Sequence, residues 1–259
     1  ASVTAGFLFF TGYGAPFYFA EETKTSERTV WRSIILSIVI LTVVSVIVTY
    51  AEVAAVGLSN ASSLSTDWNP AVVAFGEYVG SIGTLVFIII ALIGQMWAGI
   101  VGGMSGARLI YAMARDRFLF PKSFSRTHRK YHTPVYGALF ELMVTALLTI
   151  LSPIVLVKIY GYSQGIFYSL FLFGALTTFM WILQHLIADA SSVPFFRRLR
   201  GKLTARVAAY TLIPTVAAAA LFIYADITSY VGIGEPYLAG LYVIFALLIA
   251  SLIYIIYMH

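Results

Sequence analysis

Residues 7–24 read FLFFTGYGAPFYFAEETK. The chain carries no charge or histidine from residue 1 to residue 20, about the length a helix needs to cross the ~30 Å hydrocarbon core of a bilayer. Within that stretch Gly12, Gly14 and Pro16 fall inside five residues. Proline removes a donor and crowds the preceding turn, and glycine weakens a helix by about 1 kcal/mol relative to alanine. A local unwinding near 12–15 is therefore expected. In hydrocarbon, irregular backbone persists only where protein or a water-filled cavity satisfies its polar groups, so the break is a candidate ligand site. N–H groups of the half-helix after it would face a carboxylate, and free carbonyls before it would accept from an ammonium. The competing reading is a simple proline kink, which membrane helices tolerate.

Outward from this stretch, the same length of uncharged sequence recurs. Seven such segments lie at 1–20, 33–51, 78–107, 133–157, 159–184, 207–225 and 236–258, and only the fourth contains a charge, Glu141. Of the 259 residues 60% are hydrophobic and 10% charged, against about 25% charged in an ordinary soluble domain. A membrane barrel would alternate apolar and polar positions, whereas 85–93 is apolar throughout. The fold class expected is an all-α membrane protein of about seven transmembrane helices.

Charge orients the bundle. Between segments one and two lie Lys24, Arg28 and Arg32; between three and four, Arg108, Arg115, Arg117, Lys122, Arg126, Arg129 and Lys130; between five and six, Arg197, Arg198, Arg200, Lys202 and Arg206. Only Lys158 falls on the other side. Short cytoplasmic loops retain Lys and Arg, so the chain's N-terminus is expected outside and its C-terminus in the cytoplasm of a multi-pass cell-membrane protein. The net charge of +5 then reflects topology and anionic lipid headgroups rather than nucleic acid, because no aromatic platform accompanies the basic residues. The opposite loops hold Glu52, Asp67, Glu77, Asp226 and Glu235. There, 67–76 is expected to form a short outer helix, with Asp67 as its cap. Tyr160, Tyr162, Tyr168 and Tyr230 suit an interfacial belt, with Tyr168 also a candidate gate. The chain contains no cysteine and its four histidines have no metal-ligand spacing, so no metal or cofactor is expected. The start at Ala1 is expected to mark an excised piece.

Two stretches carry a family resemblance: the GYG and AEETK of residues 12–14 and 20–24, and RLIYAMARDRFLFPKSFSRTHRKYHTP at 108–134. Both are similar to segments of the amino acid–polyamine–organocation transporters. That likeness implies that segment one corresponds to the family's sixth helix. The chain would then be the second half of a five-plus-five inverted repeat (1–187) with two peripheral helices (203–259), forming one membrane domain that lacks helices one to five. It implies an amino acid or related amine as substrate, with proton or sodium as coupling ion and the missing helices as partners. By position, Gly12, Tyr13 and Gly14 match the unwound substrate-binding motif, Phe10 lies beside a gating aromatic, and Glu21, Arg115 and Asp116 match a cytoplasmic latch. Thr25-Ser26 and Trp31 depart from the family's proline-containing pattern.

Glu141 lies seven residues beyond Pro134, about 10 Å into a helix. An intramembrane acid usually faces the bundle interior, which makes Glu141 a candidate proton carrier. Helix three carries Gln95, Gly99, Gly102, Gly103, Ser105 and Gly106, a run that allows close helix approach; Gln95, Gly102 and Gly103 are candidate contacts to the substrate-bearing helices. Two rivals compete. Gly103-Met104-Ser105-Gly106 fits the GxSG of a rhomboid-type intramembrane serine protease with His185 as base, and Asp116-Arg117-Phe118 is similar to a seven-helix receptor's Asp-Arg-Tyr.

Overall fold

The computed structural model describes residues 10–65, 70–199 and 202–233, with scattered helical positions between 242 and 254. Among the described residues there are helices and turns but no strand. They are α1 (Ala15–Tyr18), α2 (Ser26–Val56), α3 (Pro70–Tyr78), α4 (Gly80–Arg115), α5 (Val135–Tyr160), α6 (Tyr162–Leu199) and α7 (Lys202–Ile233).

Five of these contain spans long and apolar enough to cross a membrane: Arg28–Val56, Gly80–Arg115, Val135–Tyr160, Tyr162–Leu199 and Arg206–Ala225. The most apolar window of each of the first three has no buried residue, and side chains such as Ile47, Leu92 and Leu147 are more than half exposed. Leaving that much aliphatic surface in water would cost about 25 cal/mol per Å2, so lipid is the solvent these faces fit. The chain is an all-α, multi-pass membrane protein. Of the seven segments, the first is described only from residue 10, and 236–258 lies largely outside the described residues, as do Asp67 and the start of the short helix it was expected to cap.

The helices outrun the uncharged stretches. Arg28 and Arg32 already belong to α2, Arg108 and Arg115 ride on α4, and α6 continues past Gln184 through Asp189 and Pro194 to Arg198. A charge ends a span's fit to hydrocarbon without breaking the backbone's i→i−4 bonds. Several cationic side chains therefore stand at fixed helix positions rather than on loops.

The described residues fall into two compact units, one within Phe9–Leu147 and the other from Leu148 onward. In the first, α3 folds back on the end of α2, where the Tyr78 hydroxyl donates to the Ala55 carbonyl at 2.6 Å and Phe75 stacks on Phe87 at 4.5 Å. α4 and α5 meet backbone to backbone: a Cβ at Gly137 would stand 2.7 Å from the Ala107 carbonyl oxygen. In the second, Gly161, with φ +83°, joins α5 to α6 in a single residue. The return is so tight that a Cβ at Gly165 would lie 2.4 Å from Val157 Cα. α6 then packs on α7 around Ala175 and Phe179, and the Thr215 hydroxyl donates to the Asp189 carboxylate at 2.8 Å.

Candidate functional site

The site is built from the end of segment one and the face of α4 against which it lies. Residues 10–14 are turns, and only 15–18 closes an α-helical turn. Gly12 has φ +96°, a conformation that costs any residue with a Cβ about 1–2 kcal/mol. Gly14, at φ −79° and ψ −5°, is ordinary αR backbone. The Ala15 N–H donates to Gly12 O and the Phe17 N–H to Gly14 O, each at 3.0 Å. α1 is four residues long with its first donors engaged, so it offers an anion less dipole than a full half-helix would.

Past α1 the chain makes a 3-10 turn at Ala20–Glu22 and presents two carboxylates to α4. Arg108 and Arg115 are seven residues, two turns, apart on α4 and so share a face. Arg108 grips Glu22 with both prongs: Nε donates to Oε1 at 2.7 Å and Nη2 to Oε2 at 3.0 Å. Its guanidinium also lies 4.0 Å from the centre of the Phe19 ring, and Nη1 donates to the Met104 carbonyl. The Arg108 side chain is 13% exposed and that of Glu22 60%. Two forked hydrogen bonds and an aromatic face fix the guanidinium in a way that a lysine could not reproduce. The Arg108 hydrogen bonds, with its charge, hold the Glu22 carboxyl below the ordinary carboxylate range.

Arg115 is shared between Glu21, at 3.0 Å, and its neighbour Asp116, at 3.2 Å. These three latch candidates meet, but in the open: Arg115 is 44% exposed and Glu21 77%. The Arg108–Glu22 pair, which sequence reasoning missed, is the better-formed one. The seven-residue spacing of the arginines opposite adjacent glutamates is the signal that could have found it. Beside both pairs lies a cavity of about 370 Å3 lined by Phe17, Tyr18, Tyr111, Thr127 and His132.

Glu141 stands elsewhere in the same unit. Its carboxylate lies over the glycine face of α4, where a Cβ at Gly103 would be 2.9 Å from Oε2 and one at Gly106 would be 3.2 Å from Cγ. The Thr145 hydroxyl donates to Oε1 at 3.1 Å. Glu141 and Thr145 line a groove of about 490 Å3 with Gly99, Gly103 and Met104. Gly103 thus accommodates Glu141 of α5. Gln95 and Gly102 are exposed, and a Cβ at Gly102 would meet nothing within 4 Å. Phe10 and Tyr13 are half-buried at the turn. Tyr168 belongs to the second unit, packed on the Ala175–Phe179 cluster and edge-on to Tyr160 at 5.1 Å.

A family model described as amino acid permease matches residues 1–182, and so spans the broken segment, both arginine–glutamate pairs and Glu141. The chain belongs to the amino acid permease family. It is also similar to the branched-chain amino acid permease BcaP of Bacillus subtilis (strain 168), with 29% identity over 163 residues covering 57% of this chain and 31% of that protein. The chain thus spans about a third of that relative's length. No solved structure matches it.

Membership among the permeases, within the amino acid–polyamine–organocation superfamily, places the chain with transporters rather than enzymes and sets aside the protease and receptor readings. The local geometry of this chain agrees. The Ser105 hydroxyl donates to the Val101 carbonyl at 2.9 Å on its own helix, and His185 Nδ1 is 2.9 Å from the Trp181 carbonyl oxygen. Both groups are engaged by the turn preceding them.

Proposed function

We propose that this chain is the second-repeat half of a secondary transporter that carries an amino acid or related amine by alternating access. On this reading 1–187 forms the second repeat and 203–259 two peripheral helices. Sequence outside the chain supplies the partner repeat and the rest of the site. The observation that carries the proposal is the irregular backbone at residues 10–14, hinged on Gly12 at φ +96°, inside the span matched by the permease family. The carbonyls of Phe10, Gly12 and Gly14 each accept one backbone bond and keep a second lone pair with which to meet an ammonium, with Phe10 and Tyr13 half-buried at the same turn. Tyr168 is proposed separately as a gate residue.

The paired charges at Glu21, Glu22, Arg108, Arg115 and Asp116 form the latch that holds the end of segment one against α4 while the cytoplasmic side is closed. Two charge-assisted pairs that separate on opening bias the equilibrium without welding it. The arginine-rich side then faces the cytoplasm, with the N-terminus of this chain outside. Glu141 is the group through which a proton gradient is coupled, its charge changing against the glycine face of α4. Gln95 and Gly102 remain contacts for the missing helices. The relative named above is a branched-chain amino acid permease, and that class is the first to test here.

Binding of labelled leucine, valine and isoleucine, measured on the protein that carries this chain together with its partner repeat, tests the reading. Saturable binding lost in Gly14→Leu is expected. Unchanged affinity in a folded Gly14→Leu protein contradicts it.

A further inference from the structure

One cavity belongs to none of these features. It lies between the end of α2, α3 and the start of α4, encloses about 410 Å3, and is lined by Val48, Ala51, Glu52, Ala74, Phe75 and Phe87 among others. Tyr78 lines it too, but its hydroxyl is committed to the Ala55 carbonyl. That leaves Glu52 as the charged group in an apolar wall. The ion pairs among the described residues all gather around Arg108 and Arg115, and Glu52 takes part in none. A carboxylate bordering apolar surface is stabilised by a cation with donors of its own.

Depth identifies the cation. Arg28–Val56 has 29 residues, about 44 Å at 1.5 Å per residue, so a helix centred on ~30 Å of hydrocarbon overhangs by about 7 Å at each end. Glu52 is four residues from the end at Val56, about 6 Å along the axis. It therefore stands at the boundary between headgroups and hydrocarbon. Val48, one turn deeper, opens the apolar part of the groove, and Val48 and Val79 remain about half exposed along its side. The groove thus offers an anion at headgroup level and an aliphatic trough leading inward.

We propose that it holds one acyl chain of a phospholipid with a primary-amine headgroup, the ammonium lying against Glu52. A trimethylated headgroup has the charge but no N–H donor, and an anionic glycerol headgroup is repelled. The site is independent of the transport reading.

The test is native mass spectrometry of the purified chain titrated with phosphatidylethanolamine, phosphatidylcholine and phosphatidylglycerol of identical acyl chains. Circular dichroism checks the helicity of each variant. The ethanolamine lipid is expected to be retained longest, with Glu52→Gln weakening it about tenfold towards the choline lipid. Glu52→Lys is expected to reverse the preference in favour of phosphatidylglycerol. Equal retention of the three headgroups, or a preference unchanged in Glu52→Lys, overturns the proposal. So does loss of the lipid when the chain is embedded in a longer protein that covers the groove.

Discussion

At the scale of single residues, two glycines two positions apart have different jobs. Gly12 sits at φ +96°, so any side chain there strains the backbone by about 1–2 kcal/mol whatever space surrounds it. Gly14 has αR backbone, and its Cβ would meet Phe17 Cδ2 at 3.7 Å, an ordinary contact. Gly12→Leu is therefore expected to lower the melting temperature as well as function, whereas Gly14→Leu should leave the melting temperature near that of the parent. Thermal unfolding of the two variants side by side checks this. Glu22 supplies a pH-dependent case. Its carboxyl is held below its ordinary value of 4.5 by Arg108, so the pair's contribution is complete above that value. It disappears as pH falls through the lowered one. Glu22 is mostly exposed, so Glu22→Gln should cost only about 0.2–1 kcal/mol at neutral pH. Melting curves of parent and variant should converge in acid; a difference that persists there would show that the pair is not the source.

At the scale of elements, the hairpin between α5 and α6 sorts three glycines by mechanism. Gly165→Ala drives a Cβ to within 2.6 Å of the Val157 and Leu156 backbone. One helix must shift, at about 1–3 kcal/mol. Gly161→Ala meets open space but keeps φ +83°, which costs about 1–2 kcal/mol. Gly174→Ala meets nothing within 4 Å in mid-helix and should be neutral or stabilising. Detergent thermostability should rank Gly165→Ala below Gly161→Ala and both below Gly174→Ala. The helical spans were legible in the sequence because an uncharged run of membrane length has one stable solution in lipid. Their ends were not, since a helix continues past its first charge, and the arginines of α2, α4 and α6 were assigned to loops for that reason. The 116–134 connection is likewise more than a run of solvated charge. Phe120 and Phe124 pack against Phe140 of α5 at 5.6 and 5.7 Å, and Phe118 N–H returns to Met113 O.

At the scale of the whole molecule, the sequence disclosed class and family more readily than the site. Hydropathy and charge asymmetry report on the solvent, and the GYG and RLIYAMARD segments report on descent. A pairwise contact between residues 86 apart, such as Glu22 and Arg108, leaves no mark in local composition; its trace in the sequence is the seven-residue spacing of Arg108 and Arg115 opposite the adjacent Glu21 and Glu22. On the proposed reading transport also calls on sequence beyond this chain, whose match spans 31% of the BcaP relative. If Glu141 couples a proton gradient, Glu141→Gln in the protein that holds both repeats should abolish the dependence of uptake on an imposed pH gradient while leaving exchange intact. Retained dependence would assign Glu141 to packing against Gly103 alone.

The central claim is that the irregular backbone at 10–14 is half of a transport site. Its most direct test is uptake of labelled amino acids and amines into liposomes holding that protein, with Gly14→Leu run in parallel. Saturable uptake of at least one amino acid or amine, abolished in a Gly14→Leu protein that melts like its parent, is the expected result. Absence of uptake for every substrate tried, or uptake undiminished in Gly14→Leu, would contradict the account.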